Sequence, residues 1–248
     1  MLEILEVDVG RLQPIYHPVQ FENIILPDGS FSGGDGFTEE YRETIDRLRD
    51  FAKKNQTPTA SKKVYYFYGT SQTGEERLAE YFKSKGYMIV SPEKLTTDEQ
   101  LNILINADSF ASTLGSCAHN SLFLREGTET IFILRAAYKF SGGYQQMVDQ
   151  INNLNPIYLD SSLSIFYKMN GPYCFIISEQ LKKFFGDTFD GYEEDDFKTF
   201  LTYVRNSIGN GFKLNEKAVQ YYAPMYFPFL NQLSGRKDLL QAYGINLV

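Results

Sequence analysis

The sequence predicts an α/β protein built around a parallel sheet, and two observations carry that expectation. Between Val64 and Leu134 a short apolar run, a small-residue loop and a helical pattern follow one another, and the unit recurs three times. Each run also ends in a loop of small and polar residues. In a parallel sheet such loops gather at the carboxyl ends of the strands, where ligands bind, so three of them face one crevice.

The elements are expected in this order. Phe21–Leu26 reads as a strand stopped by Pro27, Asp28 and Gly29, and a Gly/Ser-rich loop runs on to Gly36. Thr38 is an N-cap with Glu40 in the first turn, opening a helix that reaches Lys54. Residues 55–63 are polar and read as a linker. Val64–Tyr68 is a strand, Gly69–Gly74 a loop and Glu75–Lys85 a helix. Tyr87–Val90, then Ser91-Pro92-Glu93, then a helix over Thr97–Ala107 form the second unit. A third apolar piece leads into Gly115–Ser121, and Thr130–Leu134 closes the block.

Beyond it, Ser141–Gly143 begins a loop and Tyr144–Asn153 has helical spacing, with Met147, Val148 and Ile151 on one side. Ile157–Asp160 and Ser164–Phe166 read as short strands. Tyr173–Ile177 is apolar and fits either a strand or a helix start. From Glu193 a tail predicts three helices, over Asp195–Ser207, Leu214–Met225 and Lys237–Tyr243. The acidic Glu193–Asp196 stretch lacks the strand-end setting of a metal-bound sugar nucleotide and reads as a solvated helix start.

Composition narrows the function classes. The 248 residues suit one large domain or one domain with an appendage, and a 43% hydrophobic content is ordinary for a globular protein. A net charge of −7 argues against nucleic acid as a partner. Two cysteines, Cys117 and Cys174, make no disulfide framework, and no zinc spacing occurs. Met1–Glu6 lacks the features of a secretion signal, and no apolar run is long enough to span a membrane. The expected compartment is the cytosol, with the inner face of the membrane as the alternative. No cofactor or metal is expected.

Pro92-Glu93, then Leu95-Thr96-Thr97-Asp98-Glu99-Gln100, then Ala107-Asp108, then Gly115, Asn120 and Phe123 together resemble the C-terminal half of glycosyltransferase family 61. The family places a His-Gly-Ala-Gly-Leu-Thr-Asn loop before a Leu-Phe. Here that loop reads Leu114-Gly115-Ser116-Cys117-Ala118-His119-Asn120, so the Gly and Asn positions match, Leu114 replaces the leading His and His119 replaces the Thr. The Arg often found after the first strand is absent at Gly69. The resemblance implies a Rossmann-like donor domain of the GT-B kind over residues 64–190, a helical tail over 191–248, and in residues 1–54 the remnant of an acceptor-side domain with its interdomain helix. It further implies a nucleotide-sugar donor, a glycan acceptor of capsular or other surface polysaccharide, and inversion without a bound metal. A partner subunit, or an N-terminal segment outside this chain, would complete the acceptor side. The alternatives are a donor-domain fragment that needs such a partner and a non-catalytic nucleotide-binding scaffold protein.

The candidate residues follow. Gly115, Ser116, His119, Asn120 and Ser121 form a small-residue turn before a helix start, suited to a diphosphate. The plainer alternative is a helix start packed on the sheet. Gly69, Thr70 and Ser71 open a second such loop, which is no P-loop because no Gly-Lys-Ser/Thr follows. Arg77 is the nearest cation on the following helix, with a solvated face as its ordinary role. Pro92 and Glu93 would present amides to the edge of a base, and Glu93 alternatively caps the next segment. Glu99 would hold loops together. Glu126 follows the Asn120 helix near the expected crevice and would bind ribose hydroxyls, with a surface role as the equal alternative. The catalytic base is not legible. His17 and His119 are the only histidines and so the weak candidates.

Overall fold

A computed structural model describes residues 5–25, 29–32, 36–69, 72–135, 143–168 and 171–244. Its centre is a fully parallel, five-stranded sheet. The strands are β3 (Lys63–Tyr66), β4 (Met88–Val90), β5 (Ser109–Thr113), β6 (Glu129–Leu134) and β7 (Ile157–Asp160), in the spatial order β4-β3-β5-β6-β7. The chain therefore steps outward from β3 to β4 and then back across β3 to β5. Loops leaving β3 and β5 depart in opposite directions, and that reversal opens a crevice at their carboxyl ends.

Side-chain alternation explains the layers. Tyr65, Ala111, Ile131, Ile133 and Leu159 point to one face, where α2 (Glu75–Ser84) covers them with Leu78, Ala79 and Phe82, and α5 (Glu179–Phe184) adds Leu181. Val64, Tyr66, Phe110 and Phe132 point to the other, against Leu104 of α3 (Thr97–Asn106). Each large apolar side chain fully buried here contributes roughly 1.5–3 kcal/mol. Outside α3 lie α1 (Glu39–Lys54) and α4 (Gly143–Ile151), joined through Ile45, Leu48, Leu122, Val148 and Ile151. Thr38 caps α1 as expected, accepting from the Tyr41 amide at 3.3 Å.

A second core lies under the tail. Helices α6 (Glu194–Gly209), α7 (Glu216–Ser234) and α8 (Lys237–Ala242) enclose Phe197, Phe200, Tyr222 and Phe229 with Leu163, Phe166 and Cys174 from the stretch after β7. Helix α7 runs on past Met225 despite Pro224 and Pro228, because Phe229 and Leu233 are buried on its far half and hold it in register.

Several expected elements differ. Residues 21–25 form no strand; they are irregular and exposed, Ile25 at 91%, and among the described residues no strand pairs with them; Leu26 lies outside the described residues. Instead β1 (Phe31–Ser32) and β2 (Gly36–Phe37) form a small hairpin. Ser164–Phe166 turns back rather than extending, with Ser164 Oγ accepting from the Cys174 amide at 3.0 Å. Tyr173–Ile177 is neither helix nor ladder strand: it makes single bridges to Thr73 and Ser162 and so wedges against the start of α2. The acidic stretch is not all solvated, since Asp196 is buried and accepts from the amides of Ile177 and Glu193 at 3.0 Å each. The expected loop start at Ser141 and Gly142 lies outside the described residues. Among the described residues no helix is long and apolar enough to cross a membrane.

Candidate active site

Three loops build the crevice. After β3 the chain turns at Gly69, with φ +113°, and enters α2 from Gly74, with φ +89°. A Cβ at Gly74 would stand 2.1 Å from the Phe175 carbonyl oxygen, so glycine is required there for space as well as for φ. Glu75, the first residue of α2, folds its carboxylate back under the loop. Its Oε1 accepts from the Tyr68 amide at 3.2 Å and from Thr113 Oγ1 at 3.1 Å. The side chain is fully buried, and among the described residues Oε2 has no hydrogen-bond partner. Burial pushes this carboxyl's pKa up, while the positive field of Arg135 and the two hydrogen bonds pull it down.

After β4, Pro92 opens a short 3-10 helix, Pro92–Lys94. Gln100, reaching from α3, fastens it by donating to the carbonyls of Pro92 at 2.9 Å and Leu95 at 3.2 Å. Glu99 closes a capping box with Thr96, so it fixes the start of its own helix rather than a loop. After β5, Gly115 has φ +138°, and a 3-10 helix, Ala118–Phe123, follows. Asn120 braces that turn, donating to the carbonyls of Ser116 at 3.4 Å and Cys117 at 3.2 Å.

Between these loops lies an open cleft of about 510 Å³, walled by Tyr68, Pro92, Glu93, Gln100, Ser116, Cys117 and Asn120. Four residues singled out from the sequence thus come together: Pro92, Glu93, Ser116 and Asn120. Gly69 and Gly115 adjoin cleft-lining neighbours. Thr70 and Ser71 lie outside the described residues.

The other candidates fall elsewhere. Ser121 is buried and accepts from Gln145 Nε2 of α4 at 3.1 Å, which ties the turn to that helix. His119 is half-buried against the same Gln145; burial pulls its pKa down and the Gln145 contact opposes this. Arg77 is engaged by Glu193 and Asp196, each at 3.4 Å, and lines a different cavity with Lys182. Glu126 is at the opposite end of the sheet, because the Ala118–Phe123 helix carries the chain from the carboxyl end of β5 to the amino end of β6; there it accepts from Asn153 Nδ2 at 3.0 Å. His17 is exposed on the irregular N-terminal segment and lines no part of the cleft.

The residues that sequence reasoning missed are Tyr68, Glu75, Thr113 and Arg135. Arg135 is the first residue past β6, on the face of Ile131 and Ile133. Its Nη2 donates to Thr113 Oγ1 at 3.2 Å, and its guanidinium lies 4.6 Å from the Tyr68 ring centre and 5.4 Å from that of Tyr173. The available signal was an arginine ending an otherwise apolar strand at the ligand-facing edge.

With the cleft placed at the strand reversal, comparison with known proteins becomes specific. The family model described as Glycosyltransferase 61 matches residues 5–131, just over half of the 248-residue chain. The chain belongs to glycosyltransferase family 61. No curated protein matches it, and no solved structure does. The family 61 match runs from the N-terminal segment through α1 and all three cleft loops into β6, and Arg135 stands four residues beyond its end. Membership makes this a glycosyltransferase, acting on a sugar donor and an acceptor, on a Rossmann-like α/β scaffold.

Proposed function

We propose that this family 61 protein moves a sugar from a nucleotide-sugar donor, seated in the cleft between the β3, β4 and β5 loops, to a glycan acceptor in surface or capsular polysaccharide synthesis. The observation that carries the donor site is the cleft's position at the strand-order reversal, outside the carboxyl ends of β3 and β5. Tyr68 offers a ring face to a base or sugar, and the polar edges of Gln100, Ser116 and Asn120 surround the same space. In the reaction the acceptor hydroxyl oxygen bonds to the anomeric carbon as the bond from that carbon to the diphosphate breaks. The hydroxyl proton passes to a base, and the diphosphate leaves with the bonding electron pair. Inversion, independence of a metal and the GT-B arrangement follow the sequence resemblance, and a cytosolic setting is part of the same proposal.

Calorimetry of the folded chain against uridine, guanosine, cytidine and thymidine diphosphates tests the donor site. One of them binds saturably on this reading; silence from all four overturns it.

A second reading has its own support. Val9, Leu12, Ile15, Tyr16, Val19, Phe21, Ile24 and Ile25 are all more than half exposed on the N-terminal segment, which suits a chain whose acceptor side is completed by a partner. The chain alone then hydrolyses donor slowly and transfers poorly. Rapid, saturable transfer by purified chain alone rules that reading out.

A further inference from the structure

We propose that Arg135 is the cation that receives the donor's diphosphate, and that Glu75 and Thr113 are positioning residues that aim it; this rests on the donor-site reading above. The side chain lies across the end of β5 at the crevice side of the sheet. It packs on Tyr68, whose ring walls the cleft, and against Gly115, whose neighbour Ser116 walls it too. A Cβ at Gly115 would stand 2.8 Å from Arg135 Nη1, so the bare backbone there lets the guanidinium approach.

Its bonding leaves it open to an anion. Arg42, Arg49, Arg77, Arg125 and Arg236 each have a carboxylate within 4.0 Å, whereas among the described residues Arg11, Arg47, Arg135 and Arg205 have none; of these four, Arg135 alone is half-buried and stands beside the cleft-lining Tyr68. Among the described residues its one side-chain hydrogen bond goes to Thr113, and its buried Nε, like those of Arg42 and Arg125, has no partner. A guanidinium carries five N–H donors in a planar fork that matches phosphate oxygens. Among the described residues the cleft walls include no basic side chain, and they include Glu93, which repels a diphosphate unless a cation offsets it.

The direction of the relay is fixed by chemistry. Arginine has no acceptor, so Thr113 Oγ1 accepts from Nη2; the single hydroxyl proton of Thr113 then goes to Glu75 Oε1. Glu75 also holds the Tyr68 amide. One buried carboxylate thereby sets both the ring under the guanidinium and the hydroxyl that orients it. As the sugar–phosphate bond breaks, negative charge grows on the leaving diphosphate, and a pre-aimed guanidinium stabilises it.

The test compares wild type with Arg135→Met, which keeps an apolar stem without charge. Both are titrated with the four nucleoside diphosphates, with the matching nucleosides and with inorganic pyrophosphate. The expected result is a loss of at least about tenfold for the preferred diphosphate and for pyrophosphate, with nucleoside affinity unchanged. Thr113→Val lowers the ratio of diphosphate to nucleoside affinity in the same direction, and Arg135→Lys restores part of it. Wild-type diphosphate affinity in Arg135→Met overturns the assignment. If Arg135→Met does not fold, wild-type ratios in both Thr113→Val and Arg135→Lys overturn it instead. Pyrophosphate binding that depends on Arg135, with no nucleotide binding by wild type, upholds the anion site and overturns the nucleotide-donor reading. A folded wild type silent to every probe overturns both.

Discussion

The two ends of the sheet use arginine differently. At the amino ends of β5 and β6, Arg125 pairs with Asp108 and donates to the Ala107 carbonyl at 3.2 Å, so one loop is tied to the next. At the carboxyl ends, Arg135 meets two aromatic rings and a hydroxyl, and among the described residues the nearby Glu75 keeps one carboxylate oxygen unpartnered in a buried site. The first arrangement matches the cation with a carboxylate. The second leaves bonding capacity at the edge where parallel sheets bind ligands. Arg77 makes the same point: it looked available in sequence, yet Glu193 and Asp196 engage it to dock the helical tail. The lesson is that a missing carboxylate partner singles out a cation only together with its place: among the described residues exposed Arg11, Arg47 and Arg205 lack one too, but only Arg135 lacks one beside the cleft.

That contrast breaks most visibly if the carboxyl edge is distorted. Gly74→Ala places a Cβ against the Phe175 carbonyl in a left-handed backbone, and it is expected to cost about 4 kcal/mol or more, from overpacking and strain together. Chemical denaturation measures this; a loss below about 1 kcal/mol would mean that Tyr173–Ile177 does not brace the loop.

Asp160, at the carboxyl end of β7, probes the same edge away from the cleft. Burial raises its carboxyl from 3.8 to about 6, against hydrogen bonds from the Ser162 amide and the Tyr221 hydroxyl. The folded state therefore holds this proton more tightly than the unfolded chain. Its stabilising effect is complete below pH 3.8 and lost as pH rises through about 6. Relative to Asp160→Asn, wild type should lose about 3 kcal/mol over that window. Denaturation midpoints of the two proteins at a series of pH values check it, and parallel curves would contradict it.

At the amino edge the effects shrink. Arg125→Met is expected to cost at most about 1 kcal/mol, because the Arg125 side chain is 42% exposed, and to leave nucleotide affinity unchanged. The pair of Arg125→Met and Arg135→Met thus separates a stability role from a ligand role in one calorimetry series. Smallest of all, Glu126→Gln should change stability by less than about 0.5 kcal/mol and affinity not at all, since glutamine can still accept from Asn153. A drop in nucleotide affinity would move the ligand to the wrong end of the sheet.

Much of the scaffold was legible because local rules and tertiary packing agree. The runs at Val64, Tyr87 and Thr130 became β3, β4 and β6, and Thr38 and Thr96 cap the helices that their sequences mark. Local rules failed where distant contacts decide. The helix expected over Leu214–Met225 runs on to Ser234, because burial of Phe229 and Leu233 carries α7 onward. Apolar residues at 21–25 implied a strand, but a strand needs a partner. The cleft was half legible for the same reason. Pro92, Ser116 and Asn120 follow strands and could be placed by topology. Glu75, Thr113 and Arg135 act through bonds between segments 22 and 38 residues apart, which no spacing rule reports.

The most direct measurement is a crystal structure of the chain soaked with whichever nucleoside diphosphate calorimetry selects. The diphosphate should lie between the Gly115–Asn120 turn and the Arg135 guanidinium, with the nucleoside toward Tyr68, Pro92 and Gln100. Density at the amino edge beside Glu126, or in the cavity beside Arg77 and Lys182 with the cleft empty, would contradict a donor site at the strand reversal.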